Sequence, residues 1–129
     1  DPDGLREAAF RYMFVHNSSG LQQHAHVYCI TIDDADPSTP FLARLHDIKP
    51  AVKARSACVT NRERGVADKA SNERGLVFRV DAITPVDADH ARIVGGYYEG
   101  GLSASGNTYS AERQNGAWVV IGDVMDWES

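Results

Sequence analysis

Residues 106–121, GNTYSAERQNGAWVVI, read as two short strands around a tight turn. Asn115-Gly116 is the reason, because Asn followed by Gly tolerates the positive φ of a type I′ hairpin. Upstream, Leu76-Val77-Phe78-Arg79-Val80-Asp81-Ala82-Ile83 alternates, turning Leu76, Phe78 and Val80 to one face and Arg79 and Asp81 to the other. Pro85-Val86-Asp87-Ala88-Asp89 predicts a turn. Residues 91–99 then make a second strand, 100–106 a Gly/Ser-rich connection, 106–113 a third strand and 117–121 the fourth of an antiparallel meander.

The first half reads differently. Residues 3–17 predict a helix with Asp3 as N-cap, Glu7 near the positive end of the dipole, and Leu5, Ala8, Ala9, Tyr12, Met13 and Val15 as its apolar stripe. NSSG at 17–20 stops it, with Gly20 suited to a left-handed cap. HVYCITI at 26–32 is apolar at nearly every position, so both faces of that strand should be covered. Asp33-Asp34-Ala35-Asp36-Pro37 breaks the strand. Ser38 or Thr39 then caps a short helix that opens with Pro40 and turns Phe41, Leu42 and Leu45 inward. Pro50 ends that region. NRERGVADKASNERG at 61–75 mixes both charge signs and reads as a mobile surface loop, a tightly held binding loop being the sharper alternative.

The predicted class is therefore α+β, a single domain over residues 1–129. An N-terminal helix and a short second helix pack on a curved, mainly antiparallel sheet of about five strands. GGYYEGGLSASGNTYSAERQNGAWVV at 95–120, with the closing Trp127-Glu128-Ser129, resembles the cystatin-like and NTF2-like α+β rolls of small uncharacterised bacterial proteins. The resemblance implies an architecture and carries no catalytic residue across.

Of the 129 residues, 43% are hydrophobic and 24% charged, which suits one folded core and argues against disorder. With 13 Lys+Arg against 18 Asp+Glu, the net charge of -5 lacks the basic footprint of a nucleic-acid binder. No apolar run approaches the roughly 20 residues of a membrane span. Much of the acid falls at 33–36, 87–89 and 123–128, while Arg and Lys are spread along the chain; no single-sign groove is expected. The chain opens DPDG without a signal-like segment, so it reads as cytoplasmic or as exported, periplasmic for example, after trimming. Cys29 and Cys58 lack CxxC spacing. They form one bridge between strands if the protein is exported, or two buried thiols if it is cytosolic.

Candidate chemistry is sparse. His24-Ala25-His26 could turn two imidazoles to one face of a strand. A metal needs further ligands, and nothing shows that His16, His46, His90 or Asp33, Asp34 and Asp36 converge with them. Two partly solvated histidines are the plainer reading, and neither a metal nor a cofactor is expected. Asp33-Asp34-Ala35-Asp36 lacks the glycine and distal acid of a calcium loop and reads as a solvated turn. Gly95-Gly96 followed by Tyr97-Tyr98 signals a bend or a close approach, with the two tyrosines on opposite faces. A pocket there would draw polar groups from Tyr12, His16, Tyr98 and Glu99. Trp118 and Trp127 suit core or interface anchoring. No nucleophile elbow, phosphate loop, dinucleotide fingerprint or HExxH occurs. The expected function is thus a small soluble module that binds a protein or small molecule, with a homodimer through the sheet face as one form of it. The alternative is an NTF2-like small-molecule enzyme with a cavity between sheet and helix.

Overall fold

In the computed structural model, which describes residues 2–16, 25–61, 65–100 and 103–128, helix α1 (Pro2–His16) lies across one face of a mixed sheet. The strands are β1 (Val27–Ile32), β2 (Ala51–Ala54), β3 (Cys58–Asn61), β4 (Gly65–Asp68), β5 (Arg74–Asp87), β6 (His90–Gly100), β7 (Ser103–Gln114) and β8 (Ala117–Glu128). A short helix α2 (Thr39–Ala43) follows β1. Strand order is β2-β1-β5-β6-β7-β8, and β4 joins the start of β5 with β3 beside it. β1 runs parallel to β2 and β5, whereas the other pairings are antiparallel. The fold is α+β with an antiparallel-dominated sheet, but of eight strands rather than about five.

Of the additional strands β2, β3 and β4, the first two are short and largely uncovered, and the third comes from a segment whose surrounding charge hides its burial. Residues 61–75 are not simply a surface loop: Gly65–Asp68 is a strand with every residue buried, pairing β3 and then Gly75 of β5. Only Val66 and Ala67 are apolar there, too few to stand out among the surrounding charges. Arg62, Glu63 and Arg64 lie outside the described residues. Pro85 continues β5, opposite Ala91, so the turn shrinks to Ala88 and Asp89. β7 already begins at Ser103, which makes most of the Gly/Ser-rich connection strand; Gly101 and Leu102 lie outside the described residues.

Helix α1 also departs from its expected stripe. Leu5, Ala9, Phe10, Met13 and Phe14 are buried, whereas Val15 is 75 % exposed. Phe10 and Phe14 stack at 6.1 Å and lead the buried face, which rotates it away from Val15. Asp3 lies inside the first turn and pairs with Arg6 at 2.9 Å instead of capping. The 17–20 stop signal is outside the described residues. Around α2 the capping chemistry holds: the Ser38 hydroxyl accepts from the Phe41 amide at 3.2 Å, with Pro40 in the first turn.

Leu76, Phe78 and Val80 of β5 join Tyr28 and Ile30 of β1 under α1, forming the main core. A second, smaller core lies on the other face of the sheet. There Val27, Cys29, Cys58, Val66 and Val77 cluster, with Ala57 and Tyr98 against them. Both faces of β1 are covered, as a parallel central strand requires.

Candidate functional site

Alternation along β6, β7 and β8 produces two unlike faces. On the helix side, three rows cross the sheet: Ile93, Tyr109 and Asp123; Gly95, Asn107 and Met125; Tyr97, Ser105 and Glu128. Met13 approaches closely at Gly95, where an added Cβ would strike the Arg79 carbonyl and lie 3.3 Å from the Met13 methyl. Tyr12, Met13 and His16 of α1 overhang these rows. A cleft of about 150 Å³ remains between helix and sheet, lined by Tyr12, His16, Tyr97, Asn107, Asp123 and Glu128 among others.

A directional hydrogen-bond chain runs along its floor. The Tyr12 hydroxyl donates to Asp123 Oδ1 at 2.7 Å, and Asn107 Nδ2 donates to Asp123 Oδ2 at 2.8 Å. Ser105 Oγ donates to Asn107 Oδ1 at 2.8 Å. A carboxylate only accepts, which fixes the orientation of Asn107 and hence of the Ser105 hydroxyl. Ser105 and Asn107 are only 3 % and 7 % exposed, so they need these partners. His16 stacks on Tyr12 at 3.9 Å, and its Nδ1 faces the Tyr12 carbonyl at 3.0 Å. Burial, and then the bond to Asp123, push the Tyr12 phenol up to about 12. Burial raises Tyr109 as well. Tyr12 therefore keeps its proton near neutral pH and serves as a donor.

Of the four pocket residues expected from sequence, Tyr12 and His16 meet in this cleft. Tyr98 and Glu99 do not line it. Tyr98 points to the opposite face, into the second core, and Glu99 is buried elsewhere. Tyr97 takes the inner position because β6 alternation turns it toward Ser105. Ser105 and Asn107 carry little signal in the sequence, because β7, SASGNTYSAERQ, is polar at most positions and has no apolar alternation to set them off.

Gly96 and Gly106 explain the outer face. They sit opposite each other, between Arg79 on β5 and Trp127 on β8. Without side chains between them, the Arg79 guanidinium reaches 5.4 Å from the Trp127 ring centroid. A Cβ on Gly106 would strike the Trp127 indole, and one on Gly96 the Ser105 carbonyl. The next outer row is Ala82, Val94, Thr108 and Val124. Ile121 is 55 %, Val124 66 % and Trp127 50 % exposed. Trp118 instead turns inward against the main core, under Arg113 at 4.7 Å.

The chain matches no family model, no curated protein and no solved structure.

Cys29 and Cys58 are joined as a disulfide. His24 lies outside the described residues, and His26 pairs with Glu73 at 3.0 Å. Asp36 accepts from the Ser56 amide at 3.0 Å; the Ser56 hydroxyl chiefly, and then that amide, lower the Asp36 carboxyl. Among the described residues no three His, Cys, Asp or Glu side chains are grouped to hold a metal ion. No described helix is long and apolar enough to cross a membrane.

His90 forms a surface clasp instead, its Nδ1 2.8 Å from Asp87 Oδ1 and its Nε2 3.3 Å from Glu112 Oε1. Both nitrogens can donate only in the imidazolium form. Asp87 chiefly, and Glu112 after it, raise His90 above its ordinary 6.5. Asp87 falls below 3.8, led by the Asp89 amide and then His90, and Glu112 below 4.5, led by Gln114 and then His90. The His90 contribution is present below 6.5 and lost as pH rises through its raised value; the carboxylate contributions are lost as pH falls through their depressed values. The stability difference between the wild-type chain and His90→Gln in urea melts is therefore expected to be largest between 4.5 and 6.5. A difference that does not vary with pH would refute the clasp.

Proposed function

We propose that the chain is an interaction module that pairs with a second copy of itself through the outer face of β6–β8. The observation that carries the reading is the set of exposed apolar side chains on that face: Val124 and Trp127, each at least half exposed on the strand at the sheet's edge, with Val94 and Val119 at 39 %. Contiguous apolar surface of this kind marks contact sites, and burying it contributes roughly 25 cal/mol per Å². A twin is the favoured occupant because this face carries both charge signs beside its apolar centre. Arg92 and Glu112 lie on its outer side, as does Asp126, which accepts from Thr108 at 2.7 Å. A two-fold axis can set such a face against itself with unlike charges apposed. The disulfide fits an oxidising compartment.

A small-molecule enzyme of NTF2-like type remains the second reading, supported by the cleft's position between helix and sheet. The cleft's small volume and the upward shift of Tyr12 favour binding over proton transfer.

Sedimentation equilibrium of the intact chain tests the pairing. A species of twice 14.1 kDa is expected at protein concentrations of about 100 μM, returning to the monomer in Val124→Lys. A wild-type chain that stays at 14.1 kDa there would sink the reading. So would a dimer that Val124→Lys leaves intact.

A further inference from the structure

The outer face of β8 carries its own complement. Its outward positions are Val119, Gly122, Val124 and Trp127, opposite Glu112, Ser110, Thr108 and Gly106 of β7. Those four β7 residues fall at every second position. Gly122 and Trp127 therefore lie one row either side of Val124, each about 7 Å from it along the strand. Simple alternation from Val124 would turn residue 127 inward. The register shift at Asp126 returns Trp127 to the outer face, a common use of a bulge.

The side chains at these two positions are opposite in shape. Trp127 is a half-exposed knob: its indole crosses Gly106, where an added Cβ would strike it, and the Arg79 guanidinium lies 5.4 Å from its ring centroid. Gly122 is a notch. A Cβ added there meets nothing within 4 Å, and its neighbour on β7 is the small Ser110.

An isologous contact requires a surface to fit a rotated copy of itself. A two-fold axis between two copies, crossing β8 at Val124 and perpendicular to it, sets Val124 on Val124. The same rotation lays each Trp127 over Gly122 and Ser110 of the other copy. Charge agrees with this register. Arg92 shares the row of Gly122 and Ser110, while Thr108 holds Asp126 on the outer face at 2.7 Å, next to the row of Trp127. The axis brings those rows together, so Arg92 of one copy falls beside Asp126 of the other at two symmetric places. Arg79, on the row of Trp127, is already engaged by Asp81 at 3.0 Å. Equal spacing of knob and notch about one residue serves a second copy and no unrelated partner.

We propose that two copies pair in this register, each Trp127 seated in the Gly122 notch of the other about a two-fold axis at Val124. The inference rests on the pairing proposed above and specifies its geometry.

The test is sedimentation equilibrium of the intact chain beside Gly122→Leu and Trp127→Ala. Gly122 has open space above it and no left-handed backbone, so leucine there leaves the monomer folded and the face more apolar. Association by apolar area alone would then tighten. A filled notch should instead weaken the dimer about tenfold or more, because the clash occurs twice in each dimer. Trp127→Ala should weaken it by a similar factor through loss of the anchor. Crosslinking reads the register without filling the notch. Val124→Cys should be joined to its own copy by a short bis-maleimide, because a residue on the axis faces itself and the native cysteines are bridged. Val15→Cys, exposed on α1, should not be joined. A wild-type dimer that Gly122→Leu or Trp127→Ala leaves equal or tighter would overturn the register while the pairing stands. So would Val124→Cys crosslinking no faster than Val15→Cys. A wild-type chain that stays at 14.1 kDa at about 100 μM would overturn both.

Discussion

Phe78→Ala is expected to lower stability by about 4 kcal/mol, the middle of the range for truncating a fully buried phenylalanine. Phe78 has no exposed surface and sits where the parallel and antiparallel parts of the sheet join, opposite Ile30 on β1 and Tyr97 on β6. Its ring meets Phe14 edge-on at 5.0 Å and Tyr28 at 5.1 Å, and those two rings stack at 4.9 Å. Truncation therefore removes two aromatic contacts, worth about 0.5–1.5 kcal/mol each beyond area burial, and leaves a void that neither strand can close without breaking its pairing. The melting temperature should fall by about 15 °C for a chain of this size. In urea the midpoint should drop at nearly constant slope. Val15→Ala, on the exposed side of the helix that covers this core, should stay within about 0.5 kcal/mol. A loss at Phe78 no larger than that would mean the ring cluster does not organise the core.

Removing the Cys29–Cys58 bridge is expected to cost about 3.5 kcal/mol, from the loop entropy released when positions 29 residues apart are no longer tied. Both half-cystines are buried, and the apolar groups around them are few: Val27, Val66, Val77 and Ala57, with Tyr98 at the side. The covering β3–β4 hairpin reaches the main sheet through only two register positions on β5, Gly75 and Arg74. Once the bridge is cut, the loss should concentrate in that hairpin. Cys29→Ala/Cys58→Ala should show faster amide exchange at residues 58–61 and 65–68 while β6–β8 stay protected. Denaturing the wild-type chain without reductant should reveal no free thiol. Two free thiols, or a double variant within about 1 kcal/mol of the wild-type chain, would contradict the bridge's role.

Residue patterns carried some parts of this fold well. Asn115-Gly116 adopts positive φ at both residues, at 52° and 82°, as the hairpin chemistry requires, and the 76–80 alternation sorts the two faces correctly. Length was harder to read. β8 continues to Glu128 past register shifts at Ile121 and Asp126, so strict alternation fails where the strand persists. β4 was invisible because its burial comes from tertiary cover over Val66 and Ala67 rather than from a periodic run. The site was half legible. Tyr12 and His16 sit one helical turn apart, so their meeting followed from local geometry. Choosing Tyr97 over Tyr98 required the sheet's inner face to be known, and Asp123 reaches Tyr12 only through the full meander.

The central position of β1 has a consequence for how the chain reaches this structure. The β5–β8 meander can zip through short connections between neighbours in sequence, whereas β1 finds β5 only by closing a loop from position 30 to position 78. Local pairings form faster than distant ones. During synthesis, helix α1 and β1 leave the ribosome before the surface that will hold them exists. The meander made after them is the template on which they come to rest.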